Sequence, residues 1–128
     1  MSRKIKRKGT KVMNDQRLVR LEFESDVLRA LVTGEIDHHS ARKVREEIDR
    51  EICTKRPSLL YLELSHVGFM DSSGLGLIMG RYTLMKKLGG GTVLLDPSDA
   101  IMRIVKLAGL ERIVKIEYTR KSKEESKK

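Results

Sequence analysis

The spacing of apolar residues changes along this chain, and that change restricts the folds open to it. Arg17 to Phe23 alternates, with Val19, Leu21 and Phe23 at every second position. Val27 to Thr33 repeats the pattern with Leu28, Ala30 and Val32. Such alternation marks half-buried strands. The polar link Glu24-Ser25-Asp26 is short enough to join them as an antiparallel hairpin. Gly34 is expected to end the second strand. From Ala41 the spacing becomes three to four. Ala41, Val44, Ile48 and Ile52 share one stripe, while Arg42, Lys43, Arg45, Glu46, Glu47 and Arg50 face water. Ser40 or Asp37 can cap this helix, and Lys55-Arg56-Pro57 breaks it. Leu59 to Leu64 is then almost continuously apolar, as expected of a central strand covered on both faces.

Strand, helix and strand in this order predict a right-handed crossover between parallel neighbours. Leu75, Ile78, Tyr82 and Met85 form a second helical stripe, widened by Leu77, Leu84 and Leu88. Gly89-Gly90-Gly91 ends that helix and reverses the chain. Thr92 to Leu95 reads as a strand. Pro97 and Ser98 open a third helix, with Ile101, Ile104, Val105 and Ala108 inward and Gly109 at its C-terminal cap. Ile113 to Tyr118 holds a short final strand. The expected class is α/β: a mixed sheet of four to five strands with helices packed on it, in the order β-β-α-β-α-β-α-(β).

The 128 residues suffice for one domain with its own core. The formal net charge is +9, which suggests a polyanion partner until it is mapped. Residues 1–13 carry six Lys or Arg and no acid, and residues 119–128 carry five against two Glu. Residues 14–118 hold 16 basic and 16 acidic side chains, so the periodic part is neutral. We therefore expect a folded domain over 14–118 between two disordered, solubilising tails, with no direct role for nucleic acid. No apolar run approaches the ~20 residues needed to cross a bilayer, and no secretory signal opens the chain. One cysteine, Cys53, excludes an internal disulfide and suits a reducing, cytoplasmic setting. It is expected on the apolar side of the first helix as a small core residue.

Catalytic patterns are absent. No G-x-S-x-G elbow surrounds Ser72 or Ser73, and no phosphate-binding loop ending in G-K-[ST] occurs. His38 and His39 are adjacent, so a regular element cannot aim both at one metal, and only His66 remains. We expect no enzyme, no metal and no cofactor. Chemistry concentrates instead where the strand from Leu59 ends, in Met70-Asp71-Ser72-Ser73-Gly74. In open α/β sheets, ligands and partners meet the loops beyond the C-terminal ends of parallel strands. Two serines here begin a helix, whose free N–H groups favour an anion. A phosphate is thus compatible with the fold, although Ser73, the better placed of the two, or Asp71 can be a plain N-cap.

Two blocks carry a family resemblance. One is Thr33-Gly34-Glu35-Ile36-Asp37-His38-His39-Ser40-Ala41. The other runs from Phe69-Met70-Asp71-Ser72-Ser73-Gly74-Leu75-Gly76 through Gly80-Arg81-Tyr82 to Gly89-Gly90. Over about residues 16–118 the chain resembles the bacterial anti-anti-sigma factors of the STAS domain family. Asp-His-His and Gly-Arg-Tyr look nearer to the sporulation member than to the general-stress member. The resemblance implies a protein that, unphosphorylated, binds an anti-sigma factor that is also a serine kinase, and so frees a sigma factor. The kinase, using its own ATP, phosphorylates the serine after the Asp of D-S-[ST]-G, which is Ser72; a serine phosphatase resets the switch. It further implies partner contacts at Asp37 and, more weakly, at His38, Asp71, Ser73 and Gly74. Two rivals share the fold: a scaffold of a stress-signalling assembly, which self-associates into large particles, and a nucleotide-binding module, which holds nucleotide stoichiometrically. The basic tails have no counterpart in the family pattern.

Overall fold

The computed structural model describes residues 18–119. Arg17 and the two charged tails, apart from Thr119, lie outside them. The order is β1 (Val19–Glu24), β2 (Val27–Ile36), α1 (His38–Lys55), β3 (Leu59–Met70), α2 (Ser72–Lys87), β4 (Gly91–Leu95), α3 (Asp99–Leu107), a 3-10 turn (Leu110–Arg112) and β5 (Lys115–Glu117). The five strands form one sheet in sequence order, β1-β2-β3-β4-β5. β1 pairs antiparallel with β2 through the two-residue turn Ser25-Asp26. Both turn residues have positive φ, 53° and 68°, which matches the twist of a tight hairpin. All other pairs are parallel.

Each crossover moves one place in the same direction. Right-handed crossovers that never reverse put α1, α2 and α3 on one face of the sheet. That face holds the core. Leu28, Ala30 and Val32 of β2, Leu60 and Leu62 of β3 and Leu94 of β4 are fully buried. They pack with Val44, Ile48 and Ile52 of α1, Ile78 and Met85 of α2, and Ile101 and Val105 of α3. The sheet supplies period-two positions and each helix a stripe at three-to-four spacing, so the sequence periods are direct records of burial.

β3 is central, but its second face lacks a helix among the described residues. Leu59 and Tyr61 are half-buried there, and Glu63 is buried in a hydrogen bond with Arg29 of β2 (Nε to Oε1, 2.8 Å). The expectation of cover on both faces is thus corrected. An apolar run alone does not separate the two cases.

Four other expectations change. β2 does not stop at Gly34; it continues to Ile36, with Gly34 at φ 91° and register shifts between Leu31/Thr33 and Gly34/Glu35. β3 likewise continues through Ser65 to Met70. Cys53 is exposed, because it follows Ile52 by one residue and so turns about 100° from the buried stripe. Ala108 is also exposed, since α3 ends at Leu107 and Gly109, at φ 77°, redirects the chain.

Candidate functional site

The extensions of β2 and β3 build the site. Ile36 pairs with Met70, and the Asp71 N–H donates to the Ile36 carbonyl at 3.1 Å. The next residue of each strand is the N-cap of a helix: Asp37 for α1 and Asp71 for α2. Two helix N-termini therefore open side by side at the C-terminal end of two adjacent parallel strands. The two sequence blocks, separated in the chain by residues 42–68, meet here.

Both caps are tightly specified. The Asp37 carboxylate accepts from the Ser40 N–H at 2.9 Å, and the Asp37 N–H donates to Ser40 Oγ at 3.0 Å. Ser40 is buried, and its hydroxyl also donates to the Glu35 carbonyl at 2.8 Å. This reciprocal capping box satisfies donors that the first helical turn leaves free. The bond from the Ser40 N–H holds the Asp37 carboxyl below the usual aspartate range, more than the mild opposing effect of desolvation raises it. In the second cap, Asp71 accepts from the Ser73 N–H at 2.7 Å. The cap is thus Asp71, not the Ser73 hydroxyl.

Ser72 is the first helical residue of α2 and is exposed, whereas Ser73 is half-buried. His38 and His39 are exposed at the start of α1. Gly74 is buried beneath Met70; a Cβ there would lie 2.6 Å from the Met70 sulfur. The structure thus brings Asp37, His38, Asp71, Ser72, Ser73 and Gly74 to one end of the sheet, with Gly74 contributing packing and the others surface. Among the described residues no cluster of His, Cys, Asp or Glu could hold a metal ion, and no helix is long and apolar enough to cross a membrane.

One feature beneath the site escaped the sequence reading. Arg81 of α2 is 94% buried by accessible surface, with 6% left exposed, and its Nε lies 2.9 Å from Asp49 Oδ1 of α1. The atoms are close but not aligned as a hydrogen bond. Burial lowers the Arg81 pKa and raises that of Asp49, each partly opposed by the other's charge. The contact ties α1 to α2 along their length. Its signal in the sequence is a charge on an apolar stripe, between Ile78 and Met85.

Comparison with known proteins agrees with this geometry. The STAS domain model matches residues 19–123. An anti-sigma F factor antagonist of Paenibacillus polymyxa is 36% identical over 98 residues, covering 77% of this chain and 84% of that protein. The anti-sigma factor antagonist SpoIIAA in its unphosphorylated form superposes with a TM-score of 0.70 at 25% identity, over 85% of this chain and 96% of that one. The phosphorylated form of the Bacillus cell-fate determinant SpoIIAA gives 0.66 at 25% identity, over 85% and 97%. The chain belongs to the STAS domain family, among its anti-sigma factor antagonists.

Proposed function

We propose that this protein, when unphosphorylated, binds an anti-sigma factor that is also a serine kinase, and thereby releases a sigma factor. Phosphorylation of Ser72 by that kinase ends the binding, and a serine phosphatase restores it. In this reading the surface is formed by Asp37, His38, Asp71 and Ser73 around Ser72, with Gly74 holding the turn. The protein acts by binding, in the cytoplasm; ATP belongs to the partner kinase, and neither cofactor nor nucleic acid is required. In this reading the domain spans 14–118, of which 18–118 lie among the described residues.

The observation that carries this reading is the exposure of Ser72 at the first position of α2, next to a cap that Asp71 already provides. Its hydroxyl is therefore not committed to holding the helix. A phosphoryl group adds about −1.5 to −2 charges. The helix N-terminus favours an anion by about 0.3–1 kcal/mol, while Asp37 and Asp71 nearby repel it, so the fold itself is little affected. Within an interface the same charge has no such freedom. Left without a cation after desolvation, it costs roughly 3–5 kcal/mol. That is about a hundred- to several-thousand-fold in affinity. A switch of this kind needs no conformational change in the protein that carries it.

Calorimetry with the cognate anti-sigma factor tests the proposal. Ser72→Ala should bind like the unmodified protein and Ser72→Asp much more weakly. Equal affinities would remove the electrostatic switch from this residue.

A further inference from the structure

Helix α2 carries glycine at 74, 76 and 80. Glycine inside a helix is less stable than alanine, so each asks for a reason. Gly74 has one within the fold, the close approach of Met70. Gly76 and Gly80 have none, since a Cβ added at either meets no atom within 4 Å.

Gly76 lines an open groove of about 470 Å³ between α1 and α2, together with Ala41 and Leu77. The remaining lining is polar: His38 and the cations Arg42 and Arg45 from α1, and Ser73 from α2. No carboxylate lines it. Arg42 approaches Glu46 only at 3.6 Å, with both side chains more than half exposed, an arrangement that neutralises little in water. The groove shares His38 and Ser73 with the site around Ser72, so it continues that surface along the two helices.

We infer that this groove receives a carboxylate-bearing segment of the anti-sigma partner. Arg42 and Arg45 supply the cations, and Gly76 leaves room for the segment to approach the α2 backbone. The inference rests on the partner-binding reading above, because a partner seated over Ser72 is the one that reaches the groove. Guanidinium forks bind carboxylates in two parallel hydrogen bonds, which fixes orientation as well as adding attraction. The acidic caps at one end and the arginines along the groove give the surface alternating sign, a pattern that sets register and excludes partners of the wrong charge. A phosphoryl group on Ser72, next to Ser73, adds negative charge at the groove's edge and repels a carboxylate entering there.

The test is surface plasmon resonance with the anti-sigma factor of the same organism, applied to four variants. Arg42→Glu with Arg45→Glu should slow association and weaken binding by about tenfold or more, an effect that shrinks as salt is raised. Arg42→Lys with Arg45→Lys should restore the salt-dependent association rate but only part of the affinity, because an ammonium lacks the bidentate fork. Gly76→Leu should weaken binding without altering its salt dependence and without lowering the melting temperature. Ser72→Asp serves as the reference for the main site. If Ser72→Asp weakens binding while the charge-reversed and groove-filled proteins bind like the unmodified one, the groove inference is overturned and the main reading stands. If the unmodified protein does not bind the anti-sigma factor, the main reading falls and the inference with it. Partner affinity unchanged by the reversal, with self-association altered in gel filtration, would assign the groove to a second copy and overturn the inference.

Discussion

The same substitution at two positions of one helix should act with opposite sign. At Gly74 an added Cβ lies 2.6 Å from the sulfur, 2.8 Å from the Cβ and 2.9 Å from the Cγ of Met70. The sulfur and Cγ can swing aside, but the Met70 Cβ is fixed to a buried backbone that pairs with Ile36. Overpacking of this kind costs about 1–3 kcal/mol, and the alanine's better helix propensity returns up to about 1. We expect Gly74→Ala to lose a net ~1–2 kcal/mol, a fall in melting temperature on the order of 4–15 °C for a domain of this size. At Gly76 no atom lies within 4 Å, so only the propensity gain of about 0.5–1 kcal/mol remains, and Gly76→Ala should melt a few degrees higher. Thermal and urea unfolding followed by circular dichroism reads both. Stabilisation by both alanines would refute the packing reason given for Gly74. Destabilisation by both would refute the open surface at Gly76.

Three further outcomes follow from the site. Incubation with the cognate kinase and ATP, then fragment mass spectrometry, should place the phosphate on Ser72, the exposed serine; phosphate only on the half-buried Ser73 would defeat the assignment. Deleting residues 1–13 and 120–128 should keep the melting temperature within a few degrees, equivalent to less than ~1 kcal/mol, and cost at most some association rate at low salt. A collapsed transition would show a tail docked on the core. Asp37 should titrate by carboxyl NMR below the ordinary aspartate range; Ser40→Ala removes only the smaller side-chain contribution and keeps the backbone N–H, so it should raise the value only in part. Because its folded value is depressed, its stabilising effect is present above the unfolded value and is lost as pH falls through the folded one.

The core was legible because period records burial. Leu28-Ala30-Val32 and Val44-Ile48-Ile52 each state which face is inward, and the structure buries all six. The ends of β2 and β3 were not legible for the same reason. Their register shifts change the parity, so that Val67 and Met70 are buried while Gly68 and Phe69 are exposed, and no single period describes the segment. Gly34 looked like a terminator because glycine marks turns, but here it supplies a positive φ inside a continuing strand. At the site, sequence position favoured Ser73 over Asp71 as the cap, and the structure uses Asp71. The choice depends on backbone direction at the end of β3, which local composition does not encode. Arg42 and Arg45 read correctly as exposed, yet the groove they line exists only once α1 packs on α2. Arg81 stands on the apolar stripe between Ile78 and Met85, but its partner Asp49 sits on a different helix, so spacing along α2 alone does not reveal the pair.

A phosphate on Ser72 alone should separate this protein from its partner. The direct measurement is isothermal calorimetry of the cognate anti-sigma factor against the unmodified protein and against protein phosphorylated stoichiometrically at Ser72, at one salt concentration. The phosphorylated form should bind at least about a hundredfold more weakly, with both forms giving the same circular dichroism spectrum. Equal affinities for the two forms, with phosphorylation at Ser72 verified, would contradict it.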